Sequence, residues 1–291
     1  MHPMNRRGFT LIELMITLVL TGIMAGLAYQ AMRSSQQMTR TLSGRVDAQS
    51  TARSVMLYMA TALRELDASE GDLVVADPAT MRYRAMRWTG LTCSGITVSG
   101  SDIQIRMRKS QIWGFRAPSP GLDSILLYAE NNTGTRADDV WLIASVSDTV
   151  TQACPDASAG LRLTMLVSAG SGGNAAATAG FTQGSPMRGF QHEEVSLFSN
   201  AGSQWFGHRT MNAAGTWTTT EALVGPLMSG GLTFTYYDTL SAVTATRTNV
   251  ASIGVIVRSL STEVGRTSAG VVSNMRDSLI SRVALRNNRR F

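Results

Sequence analysis

Lysine is all but absent from a chain whose formal net charge is +6: of its 26 basic residues, only Lys109 is not an arginine. The arginines are scattered, and past the first residues their densest group is Arg286-Asn287-Asn288-Arg289-Arg290. With no Gly-rich phosphate loop and no RNA-binding signature beside it, this excess does not describe a nucleic-acid surface. Histidine is limited to His2, His192 and His208, and cysteine to Cys93 and Cys154. Neither zinc-ligand spacing nor a Cys/His nucleophile pair can be assembled from so few groups. His192-Glu193-Glu194 sets one His beside two carboxylates, which on a strand is surface chemistry. No G-x-S-x-G turn is present. These absences leave no catalytic constellation, no metal ligand set and no cofactor motif, and the chain reads as a non-enzyme.

Charge is also missing from a long stretch near the N-terminus. After the basic leader Asn5-Arg6-Arg7-Gly8, the sequence runs from Phe9 to about Tyr29 with one charged residue, Glu13. At ~1.5 Å per residue this run spans ~30 Å, the thickness of a hydrocarbon core. A carboxylate there costs roughly 2.5–3.5 kcal/mol at mid-membrane and demands a partner. The run holds no cation, so an amine from outside the chain is expected. An ordinary signal peptide is the competing reading, with a small-x-small site at Gly26-Leu27-Ala28; its apolar core, about 7–15 residues, is shorter and uncharged. In a single-pass anchor, Arg6 and Arg7 would hold the short end in the cytoplasm. Gly22 and Gly26 form a G-x-x-x-G pair, the pattern of close helix–helix approach, in a setting where Gly is common anyway.

Proline is missing from Met32 to about Leu66, where only Gly44 interrupts a helix-forming composition. Apolar residues recur at Leu42, Val46, Ala52, Val55, Met56, Met59, Leu63 and Leu66, the spacing of one helical face. Arg40, Arg45, Asp47, Arg53, Arg64 and Glu65 fall between them. A membrane helix that passes without punctuation into an amphipathic one suits a filament subunit, and a cleaved signal has no reason to continue so.

Gly8-Phe9-Thr10-Leu11-Ile12-Glu13-Leu14 resembles the class III signal of type IV prepilins and type II secretion pseudopilins. The resemblance implies cleavage between Gly8 and Phe9 by a prepilin peptidase, which also methylates Phe9. It implies that Glu13 meets the N-terminal amine of a neighbouring subunit. It further implies an α+β, type IV pilin-like fold, with a long N-terminal helix packed on a mostly antiparallel β head. The proline that many major pilins carry near Gln30 is absent.

The remaining sequence reads as mostly β. Ile103–Met107, Leu161–Met165 and Leu232–Tyr236 alternate as half-buried strands do. Ser124–Ala129, Val140–Val146, Ile253–Val257 and Leu279–Leu285 are short apolar runs suited to buried strands. Arg116–Gly121, Glu130–Asp138 and the Gly/Ala/Ser tract Ser168–Gly180 read as turns or loops, the last exposed or separating two sub-sheets. Trp141, Trp205 and Trp217 are expected as core anchors. The organisation that follows is a leader (1–8), a membrane or filament-core helix (9–29), its amphipathic continuation (30–66) and a β-rich head (67–291).

Leu232–Asp238, Asn249–Arg258 and Ser281–Asn287 resemble the closing third of PilW-type minor pilins and J-type minor pseudopilins. The implied function is a minor type IV pilin-like structural protein acting in filament assembly, initiation or the tip complex. A J-type pseudopilin of a type II secretion system, or a tip adhesin or DNA-contact module, are the alternatives. The implied partners are the prepilin peptidase/methyltransferase and other pilins or pseudopilins through the N-terminal helix; no ligand of the head is named. The implied location is the bacterial inner membrane, head outside the cytoplasm, and then a pilus or periplasmic pseudopilus. Disulfides persist there. Cys93 and Cys154 are candidates for a bridge worth ~4 kcal/mol in the chain-entropy model, or else two separate buried thiols.

Overall fold

The computed structural model describes residues 10–99, 102–129, 140–167, 181, 183–266 and 271–286. It has one long helix and a head built wholly of antiparallel strand pairs. Helix α1 runs unbroken over Leu11–Arg64, and Glu65 caps its C-terminus. Its first half is exposed all round, with large apolar side chains from Leu11 to Met32 facing outward. Its second half buries one stripe: Gly44, Ala48, Thr51, Ala52, Val55, Met56, Met59 and Leu63.

This stripe differs from the expected one at its lower end, where Leu42 and Val46 point away from the head. Small residues occupy the contact instead. A Cβ on Gly44 would lie 3.1 Å from Met275 Cγ and 3.4 Å from Ser261 Oγ, so the helix and the strands beneath it are already touching. Close approach selects the small side chains, and the larger ones turn out.

The strands are β1 (Leu73–Ala76), β2 (Thr80–Thr92), β3 (Thr97–Ser99), β4 (Asp102–Gly114), β5 (Ser124–Ala129), β6 (Val140–Thr151), β7 (Gly160–Val167), β8 (Pro186–Asn200), β9 (Ser203–Met211), β10 (Glu221–Tyr237), β11 (Ser252–Arg266) and β12 (Val272–Ala284). The long pair β2–β8, which runs from Thr80↔Ser196 to Leu91↔Pro186 with a one-residue bulge at Arg87, belongs to two structures at once. At one end β2-β4-β7-β6-β5-β8 closes into a ring around Trp88, Ile105, Met107, Ile125, Leu163 and Met165. From its other end β8-β9-β10-β11-β12 fans out as a sheet under α1. There a second core joins Val55, Met59 and Leu63 to Tyr83, Phe206, Phe234 and Val255. The closed ring is not a feature of the expected pilin-like head.

The three alternating segments lie in β4, β7 and β10, and Ser124–Ala129 is β5 itself. Leu279–Leu285, an apolar run suited to a buried strand, falls on an edge strand instead, with Ile280 70 % exposed. The expected core tryptophans are also displaced. Trp141, Trp205 and Trp217 are only partly buried, while Trp88 is fully buried and donates from Nε1 to Asp123 Oδ2 at 3.0 Å. Its indole lies flat on Gly189, where a Cβ would fall 2.0 Å from Cε2. Cys93 and Cys154 form a disulfide, with Cα atoms 5.8 Å apart. The Glu130–Asp138 and Ser168–Gly180 segments lie outside the described residues.

Because Gly44 is in contact on its strand side, a Gly44→Leu substitution must displace Met275 and Ser261. Overpacking of this kind costs ~1–3 kcal/mol, more than the ~1 kcal/mol that Leu gains over Gly in helix propensity. The variant is expected to lose urea-midpoint stability; an unchanged or raised midpoint would show that the hairpin yields freely.

Candidate functional site

The residues of the expected N-terminal site divide at the edge of the described structure. Arg6, Arg7, Gly8 and Phe9 lie outside it, whereas Glu13 is placed in the first turn of α1. Thr10 caps the helix, its Oγ1 accepting from the Glu13 N–H at 3.3 Å. Glu13 Oε2 reaches back to accept from the Thr10 N–H and from Thr10 Oγ1, both at 3.0 Å. This capping box satisfies helix-terminal donors reciprocally and sets the carboxylate at the positive end of the helix dipole. Both Thr10 bonds fall on Oε2; among the described residues, none involves Oε1. Thr10 was readable from sequence as the first member of the T-x-x-E signature. Gly22 and Gly26 sit on the exposed apolar half, where an added Cβ would meet nothing within 4 Å.

A second cluster has no linear signal. Strand alternation sends His192 and Glu194 to one face of β8 and Glu193 to the other, so the His-Glu-Glu run does not converge. Glu193 is buried beneath α1, where its Oε2 accepts from Tyr83 Oη at 2.6 Å and Tyr58 Oη at 3.2 Å, and lies 3.3 Å from His208 Nε2. Arg87 pairs with its Oε1. Burial alone would raise the Glu193 pKa; His208, Arg87 and Tyr83 outweigh it and hold the pKa at about 2. Burial and the Glu193 charge push Tyr58 and Tyr83 well up, so both stay neutral donors. On the opposite face Glu194 joins Arg82 and Arg209, and Trp217 lies across both guanidiniums at 5.2 and 4.9 Å. His192 stacks edge-on against Phe190, and burial beside Arg84 lowers its pKa to about 4.

Glu193 forms the floor of a cleft of about 480 Å³ between α1 and β2, walled by Leu57, Ala62, Met86 and Phe115. A second hollow of about 410 Å³ continues it past Arg64 and Trp113. The polar groups of the floor are bonded to one another. What the cleft offers is apolar surface, with Phe115 and Leu57 more than two-thirds exposed. No arrangement here pairs a nucleophile with a base.

The two buried titrations act in separate windows. His192, ordinarily near 6.5 and lowered to about 4, weakens the fold as pH falls through 6.5 toward 4, because the unfolded chain takes up the proton first. Glu193, lowered from 4.5 to about 2, contributes stability fully above 4.5 and loses it as pH falls toward 2. Urea midpoints of the full chain in detergent are therefore expected to decline in two steps. His192→Gln should flatten the upper step, and Glu193→Gln the lower one. Glu193→Gln should also lower stability at pH 7 by ~3 kcal/mol or more, since Arg87 is left without its charge. Unchanged profiles in both variants would refute this assignment.

Residues 3–29 match the family model described as the prokaryotic N-terminal methylation motif. No curated protein and no solved structure matches the chain. Such a signal implies processing by prepilin peptidase and assembly with other pilins. The N-terminal helix and its signal thus support a type IV prepilin- or pseudopilin-like protein.

Proposed function

We propose that this chain is a minor type IV pilin-like subunit, processed to begin at Phe9 and built into the tip or initiating complex of a filament. Residues 1–8 are then a leader, 9–29 the membrane and filament-core helix, 30–66 its continuation and 67–291 the head. The observation that carries the reading is a single uninterrupted helix that is apolar and exposed from Leu11 to Met32 and carries the head on its last six turns or so. Before assembly the first half crosses the inner membrane, with Arg6 and Arg7 inside and the head outside. Afterwards other subunits replace lipid around it, with Gly22 and Gly26 as points of close approach. Glu13 supplies the assembly charge. Its Oε2 is tied to Thr10, so Oε1 is the oxygen for a neighbour's terminal amine. The minor role is supported by the head, whose ring of six strands projects beyond the helix-bearing sheet and would be awkward to repeat at every lattice position.

Quantitative mass spectrometry of sheared filaments tests the reading in one experiment. The expected N-terminal peptide starts at N-methylated Phe9, and the chain is present at under about a hundredth of the major subunit. A terminus at Tyr29 would refute the pilin reading, and parity with the major subunit would refute the minor role.

Glu13→Ala is expected to leave synthesis and membrane insertion intact, because it removes a charge from the apolar run. Incorporation into sheared filaments should fall at least tenfold, since the incoming amine loses its counter-charge. Wild-type incorporation would contradict the role given to Glu13.

A further inference from the structure

The two ends of the sheet are finished differently. β1 is four residues long, and its Val74 carbonyl accepts from the Arg247 guanidinium. β12 is 13 residues long, contains neither Pro nor Gly, and pairs with β11 from Ser252↔Ala284 to Arg266↔Val272. Among the described residues, no strand pairs with its other side. Folded proteins ordinarily blunt such an edge by shortness, by proline, by charge, by a bulge or by a covering element. β1 shows the first of these devices. β12 is long and, among the described residues, uncovered; what blunts it is the charge of Arg276 and Asp277 and an irregularity in β11 opposite it, between Leu260 and Val264.

The direction of β12 narrows what can cover it. Gly44 abuts Met275, and the Leu66 carbonyl accepts from the Arg286 N–H at 2.9 Å. Those 22 helical residues rise ~33 Å, and the 11 strand residues rise ~36 Å. β12 therefore runs parallel to α1 over nearly its whole length, and its free side lies along the helix axis.

We propose that the free side of β12 receives an extended strand from the head of a different pilin-like subunit, joining the two heads through one continuous sheet. The proposal rests on the filament-subunit reading above, in which neighbouring helices point the same way. A second copy of this chain does not fit. Joined antiparallel through the same edge, its helix would point the opposite way; joined parallel, its helix would fall on the opposite face of the sheet. A different subunit offering another edge meets neither obstacle. Main-chain hydrogen bonds supply the affinity of such an addition, and alternate side chains supply its selectivity. Here the outward row is Val272, Asn274, Arg276, Ser278 and Ile280, all exposed but the half-buried Asn274. Arg282 in the same row is already engaged, 4.0 Å over the Tyr237 ring and bonded to Ser252. The partner strand accordingly carries apolar residues opposite Val272 and Ile280 and an acidic residue opposite Arg276.

The test uses the full chain in its native membrane. Ser278→Cys and Ile280→Cys are labelled with a thiol-specific benzophenone and irradiated, with Val98→Cys, exposed on β3 beside the closed ring, as control. The expected adduct, from the two β12 positions only, contains a second polypeptide whose own N-terminus is a methylated residue by mass spectrometry. Adding Ile280→Lys to Ser278→Cys should reduce the adduct at least tenfold without changing the urea midpoint. Absence of an edge adduct, equal adducts from Val98→Cys, or an adduct containing only a second copy overturns the inference. The N-terminus of this chain is read from the same sample. If it is methylated at Phe9 while the edge stays unlinked, the inference fails and the pilin reading stands; if it is unprocessed, both fail.

Discussion

A 54-residue helix is ~81 Å long, and among the described residues the head touches it from Thr41 to about Leu66. Two solvents are therefore imposed on one rod. Along its first half every direction must tolerate an apolar medium or other helices, so the composition is apolar all round and Glu13 is confined to the terminus. Along its second half a single stripe is buried, and everything else must tolerate water. The stripe grades from Gly44 and Ala48 to Met59 and Leu63, so the strands lie closest to the helix at its lower end. Polar bonds fasten that end: Thr262 donates to Asp47 Oδ2 at 2.9 Å, and Ser259 Oγ donates to the Ala48 carbonyl at 2.6 Å.

The rest of the head depends on the β2–β8 pair, which is shared by the closed ring and by the sheet under α1. A seam used on both sides has little room for a clean division of apolar and polar faces. Its faces carry Tyr83, Arg87 and Glu193 on one side and Arg82, Arg84, His192 and Glu194 on the other. Every one of these would be costly to bury alone. Tyr83 and Arg87 pair with Glu193, and Arg82 pairs with Glu194. His192 packs edge-on against Phe190, and Arg84 donates to the Glu70 carbonyl. A network of this kind penalises any shift of register between the two strands.

That seam is also where the sequence is least legible. β4, β5, β7 and the second half of β10 announce themselves because one face meets an apolar core and the alternation is clean. β2, β8 and β9 hide because their charged residues face inward or pair across the sheet, so Arg82 to Arg87 and His192 to Glu194 look like surface. His208 stands fifteen residues from Glu193 in sequence, and no spacing rule joins them; only the hairpin of β8 and β9 does. The N-terminal segment is legible for the opposite reason. Its constraints are local, a helix terminus, a capping box and a bilayer's thickness, and each is written in consecutive residues. Closure of the ring could not be read from any one strand, because it depends on β2 and β8 each serving two neighbours.

The stretch between the apolar run and the head completes the mechanical picture. From Tyr29 to Thr41 the helix continues unbroken with neither Gly nor Pro, the residues at which helices most readily kink. Twelve residues, a rise of ~18 Å, separate the end of the apolar run from Thr41, where Arg266 of β11 meets the helix. The head is thus held at a set height and rotation relative to the apolar half of α1. Whatever fixes α1 among its neighbours also fixes the direction in which the cleft and the free edge of β12 face. In a chain built this way, the orientation of the head is decided by helix packing some tens of ångströms away, and no flexible linker intervenes to relax it.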